Sequence, residues 1–123
     1  MDEAALNELS KRIIGCAYKV MNTLGVGFLE QVYIRALAHE LRKNGLKAET
    51  FQAVDVVYDG VRVGEFVANM FVDDKVLVEL RATKSVDAFD TAVCLNHLKA
   101  TGRSLALLLN FGQSQVEVKR LRF

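Results

Sequence analysis

Proline is absent from the 123 residues, cysteine occurs twice, and no apolar run approaches the ~18 residues that a membrane-spanning helix needs. Without proline, element ends must be set by glycine, by turn residues and by caps. Cys16 and Cys94 lie in separate helix-like segments and match no metal spacing, so buried free thiols in a reducing compartment are expected. The N-terminus begins acidic, without a signal-peptide pattern, which leads us to expect a soluble, cytoplasmic protein without a membrane partner. There is no glycine-rich phosphate loop, nucleophile elbow or Cys–His catalytic signature. A formal net charge of +1 gives no global attraction to polyanions. Nucleic acid could be held only by a local basic patch, for which Lys119-Arg120-Leu121-Arg122 and Arg42-Lys43 are the candidates.

What is abundant is apolar surface. Hydrophobic residues make up 51% of the chain and mean hydropathy is +0.17, enough for one domain over residues 1–123 and a surplus that favours a homo-oligomer. Leu6, Leu9, Ile13, Ala17, Val20, Met21 and Leu24 recur at three- and four-residue steps, predicting a helix over 3–24 ended by Gly25. A second helix is expected from Phe28 to Asn44, with Gly27 as N-cap, Glu30 completing a partial capping box and Gly45 as the stop. From Ala48 the period changes to two, and Asp59-Gly60 is a hairpin signal. The return strand runs from Val61 to Val72, as one strand or two, with a bulge or bend at Gly64. A strand over 75–82, a helix over 87–101, a buried strand over 104–111 and a basic edge-like strand from Val116 complete an α-α-β-β-β-α-β-β order. The helix between the third and fourth strands is a crossover, which makes those strands parallel neighbours in a mixed β-sheet flanked by helices. The fold class is therefore α/β.

The stretch Val67-Ala-Asn-Met-Phe-Val-Asp-Asp-Lys-Val-Leu-Val-Glu-Leu-Arg81 departs from simple patterning. With a turn at 73–75, Val72 faces Val76, Asn69 falls opposite Glu79, and Arg81 lies across from Val67. One face then reads Ala68, Met70, Val72, Val76, Val78, Leu80, wholly apolar, and the other carries an amide, a carboxylate and a guanidinium. A carboxylate, a further oxygen ligand and a cation are what a metal-dependent phosphodiesterase uses: Mg²⁺ takes oxygen donors and activates water, and the cation stabilises charge on the phosphate. The plain alternative is a Glu79–Arg81 pair on a half-solvated sheet face.

Gly27-x-x-Glu30-x-x-Tyr33, the stretch 67–82, Leu95-Asn-His-Leu-Lys-Ala-Thr-Gly102 and Leu108-Leu-Asn-Phe-Gly112 together resemble the GxxExxY proteins, grouped within the PD-(D/E)XK nuclease-like superfamily. The resemblance covers residues 12–123 and implies a restriction-endonuclease-like core with a metal held at a kink between two strands. It places the family's helical Glu on Glu30, its Asp on Asn69, its Glu on Glu79, its Lys on Arg81 and its helical Gln on Val93, with Tyr33 as the motif tyrosine. Three of those five acidic, basic or amide positions differ from the family pattern. An amide carbonyl is a poorer Mg²⁺ ligand than a carboxylate, and a guanidinium does not yield a proton. Glu79 and Asn69 would thus be weak metal ligands at best. The expectation is that Arg81 bridges Glu30 and Glu79 in the metal's place. The chain then reads as a catalytically degenerate binding or assembly module without a cofactor. The alternative is an active nuclease cleaving DNA or RNA with Mg²⁺ or Mn²⁺. Lys84 is a surface lysine or a relocated catalytic one. His39 and His97 have no Cys or Asp at metal spacing; His97 stands where the family has an aromatic residue and reads as packing.

Overall fold

Asp2 accepts a hydrogen bond from Ala5 N at 2.7 Å and so caps the first helix, α1 (Glu3–Leu24), whose periodic residues Leu6, Leu9, Ile13, Ala17, Val20 and Met21 are all buried. Gly25, at φ 71°, closes it as the spacing predicts. In the computed structural model, which describes residues 2–123, the remaining elements are α2 (Glu30–Lys43), β1 (Ala48–Tyr58), β2 (Val61–Val72), β3 (Val76–Arg81), α3 (Ala88–Thr101), β4 (Leu105–Asn110) and β5 (Glu117–Arg122). The order is α-α-β-β-β-α-β-β, an α/β fold consistent with a restriction-endonuclease-like core.

The sheet runs β1-β2-β3-β4-β5, with β3 and β4 parallel and the other neighbours antiparallel. β4 is buried at all six positions because helices cover both faces. On one face, Ile13, Leu37 and Leu41 of α1 and α2 join a core with Met70, Val78 and Leu107. On the other, Cys94 and Leu98 of α3 share a smaller core with Ala68, Leu77, Ala106 and Leu108. Both cysteines are buried and free, and they belong to opposite cores. No helix is long and apolar enough to cross a membrane among the described residues.

Four details differ from the sequence reading or decide what it left open. α2 starts at Glu30 rather than Phe28, with Leu29 as N-cap and no side-chain cap, so the partial capping box does not form. Gly27 sits at φ 110°, outside the extended range an N-cap adopts, and the helix therefore starts two residues later. β2 is one strand, and the extra residue is Val63 beside Gly64: Val56 pairs with Gly64 but Val57 with Arg62. Ala68 belongs with Phe71 on the α3 face, not with Met70, so strand alternation breaks at Asn69.

Candidate active site

The break at Asn69 opens the sheet. The β2–β3 ladder holds only over Met70–Val72 against Val76–Val78, and Asn69 and Glu79 never become a ladder pair. Side chains replace the missing backbone bonds: Leu80 N donates to Asn69 Oδ1 at 2.8 Å and Asn69 N donates to Glu79 Oε2 at 3.4 Å. On the other flank β1 also gives way, for Phe51 lacks a ladder partner opposite Asn69 and sits at φ 56°. A bulky residue in that region costs about 1–3 kcal/mol. The fork between β2 and β3 is thus built at Asn69.

Glu79 is 1% exposed and is the one buried carboxylate among the described residues. Its second oxygen, Oε1, lies 2.5 Å from Nδ1 of His97, whose ring stacks on Phe66 with centroids 3.8 Å apart and planes 6° apart. His97 therefore packs, as expected, and also binds Glu79, which sequence reading missed. Two positions on, the Arg81 guanidinium points elsewhere than anticipated: Nε is 3.5 Å from Asp90 Oδ1 and Nη1 donates to Leu80 O at 2.8 Å. It forms no ion pair with Glu30 or Glu79 among the described residues, which corrects the expected bridge. The reason is α3. Asp90, Val93 and His97 occupy one face of that helix at three- and four-residue spacing, and they run alongside Arg81 and Glu79 on β3. Asp87 N-caps α3 in a full capping box with Asp90, which fixes the register of that face. The Asp87–Asp90 spacing was the available signal for this helix start.

Glu30 opens α2 and is half-buried without a hydrogen bond or ion pair among the described residues. Burial pushes its carboxyl above the ordinary value; nearby Arg81 opposes the shift, and Glu79 and Asp90 add to it. The same three charges therefore lie within electrostatic reach of Glu30. Burial, aided by Glu79, also pushes the Cys94 thiol up to about 12, so it is not a nucleophile at neutral pH. Tyr33 supports the entry to α2: its hydroxyl donates to Gly25 O at 2.6 Å and accepts from Phe28 N at 3.2 Å, while its ring stacks on Phe111 at 5.0 Å. It is a positioning residue for the loop before Glu30.

At the carboxyl end of the parallel pair, Asn110 is fully buried and fully used. Its Oδ1 accepts from Thr83 N and Gly112 N, both at 3.0 Å, and its Nδ2 donates to Thr83 O at 2.9 Å and Glu117 Oε1 at 3.1 Å. That amide ties the β3–α3 loop to β4. Lys84 is exposed on this loop and makes no ion pair among the described residues. The expected basic patches do not merge. Arg42 donates to Ala48 O at 2.6 Å beside β1, whereas Arg122 holds Glu3 at 2.6 Å from β5, at the opposite edge of the sheet.

A sequence profile described as PD-(D/E)XK nuclease superfamily matches residues 7–121, nearly the whole chain. The chain belongs to the PD-(D/E)XK nuclease superfamily. No curated protein and no solved structure gives a match. Superfamily members typically use a divalent metal, which makes the donor set the question to ask of this PD-(D/E)XK site. The residues present do not fit one in this arrangement. Asn69 Oδ1 is spent on Leu80 N, and the Glu79 oxygens are taken by His97 and Asn69 N. Asp90 faces Arg81, and no group of three His, Cys, Asp or Glu side chains converges as ligands among the described residues.

Proposed function

We propose that this superfamily member, of the GxxExxY kind, has lost metal-dependent cleavage and persists as a nucleic-acid-binding or assembly module. One observation carries the reading: the carboxylate that should be the principal metal ligand, Glu79, is buried and bonded to His97 at 2.5 Å. A buried carboxylate needs a partner, and a protein donor there removes the demand for a cation. The amide at Asn69 agrees with this, being committed to the backbone.

The competing reading is an active Mg²⁺- or Mn²⁺-dependent nuclease, and Asp90 favours it as a further carboxylate within electrostatic reach of Glu30. The two readings differ in metal affinity and in turnover. We expect calorimetry to find no Mg²⁺ or Mn²⁺ binding tighter than millimolar, and no metal-stimulated cleavage of DNA or RNA by the native chain. Both should appear in a variant carrying Asn69→Asp, Arg81→Lys, Val93→Gln and His97→Tyr together. Metal-dependent cleavage by the native protein, abolished by Glu79→Ala, rejects the proposal.

A further inference from the structure

A recess of about 420 Å³ lies between the last two turns of α1 and the segment joining β4 to β5. Tyr18, Met21 and Asn22 line one wall, brought to a single face of α1 by their three- and four-residue spacing. Ser114, Gln115 and Val116 line the other. Met21 and Val116 are buried and give the recess an apolar backing, whereas Tyr18 is 47% exposed and Asn22, Ser114 and Gln115 reach solvent. The side chains of Tyr18, Asn22, Ser114 and Gln115 make no hydrogen bond among the described residues, although their neighbours Thr23 and Gln113 donate to Lys19 O and Lys84 O. The Tyr18 ring likewise stacks on no other aromatic ring among them.

Buried groups, and not the exposed lining itself, set the shape of this recess. Tyr33 ties both walls: its hydroxyl holds Gly25 O just past α1, and its ring stacks on Phe111 just past β4. Asn110 Oδ1, which accepts from Gly112 N, fixes the start of the second wall as well. That wall follows the carboxyl end of β4, where Arg81 stands opposite Asn110 in the parallel pair. Crevices outside the carboxyl ends of strands are where open α/β sheets take ligands.

No charged side chain lines the recess among the described residues, so a cation or a free phosphate would lose water there without gaining a counter-charge. What the lining offers is one aromatic face, an apolar backing, two amides and a hydroxyl. An unpaired nucleobase matches that set, being uncharged, flat and apolar on its faces, with its donors and acceptors on its edge. Aromatic rings stack on the face of any base, and an amide meets adenine N6–H and N7 with one acceptor and one donor. A sugar carries hydroxyls all round and would leave some unpaired against Met21 and Val116. We propose that this recess binds an unpaired nucleobase, adenine foremost, with Tyr18 stacking on its face and Asn22 and Gln115 bonding to its edge.

The assignment rests on the nucleic-acid-binding side of the proposed function, and one experiment separates their failures. Isotope-labelled native protein in EDTA is titrated with adenosine, with ribose 5-phosphate, with a short single-stranded oligodeoxyadenylate and with an abasic strand of the same length, and backbone amide shifts are read by NMR. We expect adenosine to move the amides of 18–22 and 113–116, ribose 5-phosphate to leave them in place, and the abasic strand to bind more weakly than the adenylate strand. Tyr18→Leu, at a half-exposed position where the fold is not at risk, should weaken adenosine binding about 10–100-fold, the loss of one base–aromatic stack. Tyr18→Phe, which keeps the ring, should bind adenosine as the native protein does. Strand binding that weakens with Tyr18→Leu supports a base within a strand as the occupant; strand binding that does not, with adenosine binding lost, supports a free nucleoside. Adenosine without effect at 18–22 and 113–116, the same shifts from ribose 5-phosphate, or adenosine affinity unchanged in Tyr18→Leu overturns the inference alone. Failure of both strands and of adenosine to bind overturns the inference and the nucleic-acid-binding reading together.

Discussion

Glu30 and Glu79 are both carboxylates at one sheet opening, and their surroundings set them apart. Glu79 is bonded and buried, whereas Glu30 is half-buried without a partner and its pKa is raised, chiefly by desolvation. A raised carboxyl pKa means that the folded state binds more proton than the unfolded chain. Stability contributed by Glu30 is thus highest when it is protonated and falls as pH rises from the ordinary value through the raised one. We expect Glu30→Gln to have a higher Tm than the native protein at pH 7 and an equal one at pH 3.5, read by circular dichroism; a lower Tm at pH 7 would refute the assignment. Strand patterning pointed to Asn69, Glu79 and Arg81, and the resemblance added Glu30. The sequence misplaced the partner of Arg81, because the competing acid, Asp90, comes from a helix whose placement against β3 only tertiary packing decides.

At the scale of elements, the loop between β3 and α3 is fixed by β4 rather than by its own sequence. A Cβ at Gly112 would lie 1.9 Å from Thr83 O, so the two backbones are in direct contact there. Gly112→Ala should cost about 3 kcal/mol, measured by urea unfolding, whereas Gly64→Ala, with open space around it, should not. The hairpin is the other extreme. Beyond Met70, β2 has no partner on the β3 side and β1 is a sheet edge, so residues 53–66 form a two-stranded ribbon. Hydrogen exchange should therefore be faster at 53–66 than in β3 and β4, and equal protection would show the ribbon to be held by more than its own ladder. Asp59-Gly60 declared the hairpin in the sequence. The fork did not declare itself, since alternation through Ala68 and Met70 looked unbroken.

For the whole molecule, the apolar surplus read from composition has a place. Val57, Tyr58, Val61 and Val63 at the hairpin end are 59–74% exposed. Self-association through this end predicts concentration-dependent sedimentation that Val57→Lys relieves; a monomer at all concentrations would refute it. Local periodicity and punctuation determined the eight elements, their order and the parallel β3–β4 pair, because those follow from side-chain spacing and from the handed crossover of a single chain segment. What the tertiary structure decided was which polar groups meet. His97 reaches Glu79 and Asp90 reaches Arg81 across α3 and β3, where a buried charge takes the donor that packing brings to it and not the one the sequence places nearby.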